Sequence, residues 1–423
     1  MSSGKHDLKT HEKPVVKKKR KRSPLKVFFL LILLLCVAAA AAVAYIYKTT
    51  EASLALTFGN DSPEIEFGSD CPALDYVSEW TGDIAPSQAS LDTDSLGKKT
   101  ITYKVSQPIL RGLFTPSREF TLNYSVVDTI APVKLWSGDG TLLEQGSSFD
   151  IHSLISYGDN ADPAPQVDVD GKVDTETAGS YPLHVTVSDA SGNSTDWDLT
   201  VEVVEELPEY EDSDERTPFE DFCKEYEGGG RSFGIDVSDW QDEIDFKAVR
   251  KAGCEFVIIR IGWSEDGNMT VDKRFGENIV NARKAGLKVG VYMYSYDNSV
   301  EKVRSSAAQL IEKLDGESLD LPVAFDWEDF GNFQDYGMNF TDLNRLYDAF
   351  SDELSKSGYG CMLYGSKTYL ENVWEDTDIR PVWLAHYTDK TDYAGPYMLW
   401  QTSAIGKIDG IGPAVDMDIL YHY

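Results

Sequence analysis

The 423-residue sequence predicts a multidomain fold: an N-terminal transmembrane helix, two small all-β domains and a C-terminal irregular (β/α) barrel. Three observations carry this reading. Residues 27–47 contain no charge, and roughly 20 apolar residues cross a bilayer as a helix. Residues 53–205 alternate apolar and polar side chains in short runs parted by turn residues, which is the period of half-buried strands. From Phe233 onward, apolar runs of strand length alternate with segments of helix length. That alternation implies a parallel sheet, and about eight such strands imply closure into a barrel.

The N-terminal segment sets the topology. Residues 1–26 hold ten Lys/Arg against two acids, centred on Lys17-Lys18-Lys19-Arg20-Lys21-Arg22. Such a run often marks a nucleic-acid patch. Here it abuts an uncharged span, and basic residues before a span place the N-terminus in the cytoplasm. Tyr45 and Tyr47 stand where an interfacial aromatic belt falls. A cleaved signal peptide is the rival reading, because residues 38–44 offer small side chains to a peptidase. Its apolar region is normally shorter, about 7–15 residues. The expectation is a basic cytoplasmic tail (1–26), an uncleaved single-pass anchor in membrane lipid (27–47), and an extracellular remainder.

That remainder is acidic. The net charge is −32, and the surplus of eight in the tail leaves −40 on the rest. A body of this sign argues against nucleic acid as a partner. The five cysteines show neither paired spacing nor a Cys/His ligand pattern, so no disulfide framework, metal or cofactor is expected.

Residues 53–128 and 129–205 are expected as two β domains, the first sandwich-like. Leu122, Tyr124 and Val126 alternate with polar residues, as do Leu183, Val185 and Val187, then Trp197, Leu199, Val201 and Val203. Turn clusters such as Asp189-Ala190-Ser191-Gly192-Asn193 mark hairpins. Both segments close with a Gly-led strand, a turn and a long strand, the mark of a tandem repeat. The second resembles the immunoglobulin-like modules of bacterial surface proteins. Neither carries a catalytic constellation, so a spacer or stalk is expected. Residues 206–231 are acidic and end in Gly228-Gly229-Gly230, which predicts a flexible linker.

In the last domain (232–423) strands are expected at 233–237, 256–261, 289–294, 323–325, 361–364, 381–385, 398–401 and 415–420. Barrel enzymes place their chemistry at the C-terminal ends of strands. Asp236 ends the first strand, Asp326 and Glu328 end the fourth, and Asp416 lies on the last, which neighbours the first in a closed barrel. Strand side chains alternate faces, so Asp326 and Glu328 point the same way. Paired, desolvated carboxylates raise a pKa toward neutrality, as a general acid requires. Asp239, close to Asp236, is expected to stand apart from this group. Aromatic residues accompany the acids, among them Trp240 and Trp263, and rings in an acidic cleft suit an oligosaccharide.

These motifs identify the domain as similar to glycoside hydrolase family 25, the muramidases (lysozymes) that act on bacterial peptidoglycan. Gly234-Ile235-Asp236-Val237-Ser238 with Trp240-Gln241 resembles the family's opening motif. Arg260 with Gly262, Asp326-Trp327-Glu328, Trp383-Leu384-Ala385-His386-Tyr387, Trp400-Gln401 and Val415-Asp416 resemble those that follow. The resemblance implies Glu328 as general acid, Asp326 as its assistant toward the substrate's N-acetyl group, and Asp236 and Asp416 flanking the cleft. It implies Tyr292, Tyr294, Trp327, Tyr364, Trp383, Tyr387, Trp400 and Gln401 as substrate-binding residues. Two positions depart from the family: Met293 stands where it often has His, and Thr402 where it often has Tyr. The function implied is a membrane-anchored N-acetylmuramidase with peptidoglycan glycan strands as partner. The alternative is a catalytically inactive wall-binding or adhesion protein. Retention or inversion depends on carboxylate separation, which a sequence does not encode.

Overall fold

The computed structural model describes residues 23–209 and 215–422. Most of the basic tail, including the run 17–22, lies outside the described residues. The chain divides into two compact units.

The first unit begins with a 30-residue helix, Pro24–Ser53, longer at both ends than the expected 27–47. Pro24 sits in its first turn, where the missing N–H costs nothing. None of its residues is buried. A helix apolar all round, with nothing covering it, has the length and composition to cross a membrane. The β domain of this unit has a four-stranded sheet ordered Glu64–Glu66, Ser117–Val127, Gly97–Ser106, Asp83–Pro86, and a two-stranded sheet pairing Leu56–Phe58 with Val77–Trp80. Leu122, Tyr124 and Val126 are buried beside Ile101, Tyr103 and Val105, as the alternation requires.

The second unit contains the second β module and the barrel. In the module, Gly179–Ser188 and Ser194–Val204 form a ten-pair hairpin about the turn at Asp189. Gln166–Asp170 and Thr141–Glu144 flank it, and Val133–Ser137 pairs separately with Ile155–Gly158. Leu183, Val185, Val187, Leu199 and Val201 meet Leu154 and Tyr157 in its core.

The predicted linker is shorter than expected. Thr217–Pro218 adds a strand to the barrel sheet, and helix Phe219–Glu225 buries Phe219 and Phe222 in the barrel's core. The acids of this stretch face solvent, whereas the two rings lie three apart on one helical face. Counting charge alone hides them.

The barrel strands are β1 (Arg231–Val237), β2 (Phe256–Glu265), β3 (Lys288–Ser295), β4 (Val323–Asp326), β5 (Cys361–Ser366), β6 (Val382–Ala385), β7 (Leu399–Lys407) and β8 (Val415–Tyr421). Strands β1 to β7 run parallel in sequence order. Strand β8 pairs antiparallel with both β7 and β1 and closes the ring. Alternate strand positions separate two layers. Ile258, Ala324, Met362, Tyr364 and Trp383 meet one another inside. Val257, Val291, Met293, Phe325 and Leu363 face outward onto the helices. Helix Phe275–Ala285 ends at Gly286, whose left-handed φ of 82° makes the expected stop.

The β module packs directly against the barrel. Directly after β4, the segment 330–340 carries it. Ser156 Oγ donates to the Phe330 carbonyl (2.5 Å), Gln334 Nε2 to the Tyr157 carbonyl (2.9 Å), and the Phe340 N–H to the Asp159 carbonyl (2.7 Å). Strand Ile155–Gly158 comes so near that a Cβ on Gly158 would lie 2.4 Å from the Phe340 ring. Only glycine permits that approach.

Candidate active site

The acid-bearing strands converge by alternation. Ala324 and Asp326 point into the barrel from β4, and Glu328 continues the same face one step beyond the strand. On the neighbouring pair, Asp236 of β1 lies directly opposite Asp416 of β8. Asp418, two residues further along β8, shares that face and is fully buried. Five carboxyl groups therefore gather at one end of the barrel. The four predicted ones are among them, and Asp418 is an addition.

Gln401 of β7 organises this group. Its Nε2 donates to Asp236 Oδ2 (2.8 Å), while its Oε1 accepts from both Tyr364 and Tyr387 hydroxyls (2.9 Å each). Trp383 Nε1 donates to Asp418 Oδ1 (2.8 Å). Arg260 of β2 is held by Asp272 (2.9 Å), which also accepts the Asp239 N–H (3.0 Å). Close packing of the second strand depends on Gly262, where a Cβ would sit 2.0 Å from the Thr270 carbonyl oxygen.

Burial dominates the electrostatics. It pushes Glu328 up to about 7; the charge of Asp416 adds to this and the hydrogen bond with Asp326 opposes it. Asp326 is raised well above the carboxylate range, first by burial and then by Glu328, with Arg260 opposing. Burial raises Asp236 likewise, reinforced by Asp416 and Asp418. Asp416 moves to about 6 through burial, and Asp418 to about 8 through burial and the charge of Asp416. Clustered, desolvated carboxylates cannot all ionise, so the site retains protons at neutral pH. Asp326 Oδ1 is buried and accepts no hydrogen bond from the protein.

Two hollows flank the acids. One, of about 810 Å³, is lined by Asp239, Trp240, Arg260, Trp263, Glu265, Tyr294 and Tyr296. The other, of about 600 Å³, is lined by Glu328, Tyr364, Tyr369, His386 and Tyr387 among others. Trp240 is 78% exposed and Tyr387 58% exposed, so both present open ring faces.

Several predicted substrate-binding residues sit elsewhere. Trp327, between the two acids, points to the opposite face. It is fully buried against Phe330, Phe333 and Tyr336, with Nε1 on the Asp297 carbonyl (3.1 Å). Trp400 is outward for the same reason and donates to the His386 carbonyl (2.9 Å). Trp383 does point inward, but as the buried floor beneath the acids, edge-on to Tyr292 and Tyr364. Gln401 is buried and positions Asp236. Tyr294 is at the first hollow, its ring tilted against that of Tyr296, a residue the sequence pattern did not single out. Asp239 is not one of the five gathered acids; it lines that hollow, and its carboxylate accepts the N–H groups of Lys273 and Arg274 (2.8 and 3.0 Å). Met293 is buried on the outer face of β3, so that departure from the family pattern does not meet the cleft.

The third domain is similar in sequence to glycoside hydrolases over most of its length. Residues 235–411 match the family described as Glycosyl hydrolases family 25, and residues 134–203 match the Bacterial surface protein, Ig-like domain family. The second match covers only the second of the two β domains. Among curated relatives, the Autolytic lysozyme of Clostridium acetobutylicum is 28% identical over 187 residues, 44% of this chain and 54% of that protein. The uncharacterized protein YegX of Escherichia coli O157:H7 is 28% identical over 192 residues, 44% of this chain and 68% of that protein. A solved family 25 glycosyl hydrolase from Bacillus anthracis is 22% identical, with a TM-score of 0.39 over 45% of this chain and 89% of that one. The chain thus spans about half the length of the autolytic lysozyme it matches.

Proposed function

We propose that this protein is a membrane-anchored, extracellular N-acetylmuramidase. It hydrolyses the β-1,4 bond between N-acetylmuramic acid and N-acetylglucosamine in peptidoglycan. The observation that carries the reading is Glu328, its proton held to about 7 beside Asp326, at the edge of an aromatic cleft. Similarity to lysozymes over the same domain supports the substrate class.

In this reading Glu328 donates its proton to the glycosidic oxygen as the bond to the leaving sugar breaks, which is general acid catalysis. Asp326 offers its unpartnered Oδ1 to the N-acetyl group or to the positive charge developing on the ring. Asp236, aligned by Gln401, and Asp416 hold the negative field around the reacting sugar. Trp240 and Tyr387 give flat faces to sugars on either side. The helix Pro24–Ser53 is the anchor, with the tail inside the cell and the hydrolase outside.

The test uses the full chain in detergent micelles on purified peptidoglycan. Soluble fragments are the expected product. Binding without release over the course of the assay would replace this reading by the inactive wall-binding one. External protease on wall-stripped cells should remove the barrel and leave a membrane stub; a fully protected chain would reverse the orientation.

A further inference from the structure

At one end of the immunoglobulin-like module three aspartates meet. Asp128 precedes the module's first strand, Asp159 follows strand Ile155–Gly158, and Asp189 opens the hairpin turn. One carboxylate oxygen from each lies within 4.8 Å of the others. Asp159 is completely buried, while Asp189 is 7% and Asp128 9% exposed. Among the described residues no Lys or Arg forms an ion pair with any of them.

Their hydrogen bonds show what the fold leaves over. Asp189 accepts from the Gly192 and Asn193 N–H groups and from Asn193 Nδ2. Asp128 Oδ1 accepts from the Ile130 N–H at 3.3 Å. Asp159 Oδ2 accepts from Ala161 and Asp162 N–H groups at 2.8 and 2.7 Å. Asp159 Oδ1, by contrast, is buried in the cluster with no partner. An unsatisfied buried carboxylate oxygen costs free energy, and two further carboxylates beside it add repulsion. Burial pushes Asp159 up to about 6, with Asp128 and Asp189 adding to the effect.

A hard cation removes both costs. Calcium takes oxygen ligands at about 2.3–2.6 Å, so oxygens on opposite sides of one ion lie up to roughly 5 Å apart. We propose that Asp128, Asp159 and Asp189 form a calcium-type divalent cation site, separate from the glycosidase cleft. The site bears on the barrel through one loop. Asp159 and Ala161 carbonyls accept from the Phe340 N–H and from Asn339 Nδ2, at the start of the helix Phe340–Ser355. A cation gripping Asp159 therefore fixes the loop that seats this helix, which follows the acid-bearing strand.

Isothermal titration of CaCl₂ into the chelator-treated full chain in micelles tests the site. One saturable site is expected, with Kd of about 10⁻⁴–10⁻³ M, the range of extracellular calcium modules. Asp159→Asn, which keeps an acceptor for Ala161 and Asp162, should weaken it at least about tenfold. Asp128→Asn, at the module's edge, should do the same and serves if the first variant does not fold. Glu328→Gln should bind calcium as the wild type does. The proposal is overturned if the wild type shows no saturable site up to about 10 mM, well above that range. It is equally overturned if the aspartate variants bind unchanged or Glu328→Gln abolishes binding, since either result moves the ion elsewhere.

Discussion

Glu328→Gln is expected to lower turnover on peptidoglycan by at least about 10²–10⁴-fold, the usual worth of general acid catalysis. The amide matches the carboxyl in shape and still makes hydrogen bonds, but it has no acidic proton to give the leaving oxygen. Fold and glycan binding should survive. Glu312→Gln, on an exposed helical face, is the appropriate control. In the wild type, the acid must be protonated to act, so the rate should fall as pH rises through about 7. Asp416 should be charged to stabilise the positive charge developing on the sugar, so a second fall is expected below about 6. Both limbs belong to a coupled cluster. A folded Glu328→Gln protein within about tenfold of wild-type turnover would remove Glu328 from the role.

Acidification from about pH 8 to about pH 6 is expected to stabilise the barrel, because the cluster is built at a cost to stability. Asp418 is raised from the ordinary carboxylate value to about 8, and Asp236 is raised in the same direction. Between the unfolded and folded values the folded chain binds more protons, so its stability grows as pH falls and is lost as pH rises through the folded value. A tenfold change in proton affinity is worth about 1.4 kcal/mol, so the contribution of Asp418 is on the order of a few kcal/mol. Asp418→Asn keeps an acceptor for Trp383 Nε1 and removes the charge. It should raise the unfolding temperature near pH 8 and reduce the pH slope, leaving the part due to Asp236. Thermal unfolding at several pH values reads both effects. A variant less stable than wild type near pH 8, with the slope unchanged, would contradict the argument.

Much of the site was legible in the sequence because strand alternation is a strict rule. Placing Asp326 and Glu328 on one face required nothing else. The same rule, carried through, sends Trp327 and Trp400 outward, brings Asp418 in beside Asp416 and adds Tyr296 to Tyr294. A motif resemblance carries no such parity, so by itself it does not separate inward from outward residues. Other features had no local signal. The helix Phe219–Glu225 lies among acids that dominate any composition count. The seating of the β module on residues 330–340 uses backbone carbonyls, which every residue possesses. Asp128, Asp159 and Asp189 come from three separate segments, and only the folded module brings them together.

The most direct test of the account is the identity of the new ends. Peptidoglycan digested by the full chain, with fragments separated and their reducing sugars determined, is predicted to yield N-acetylmuramic acid ends, and Glu328→Gln to yield almost none. N-acetylglucosamine at the new reducing ends, or fragments formed equally well by Glu328→Gln, would contradict it.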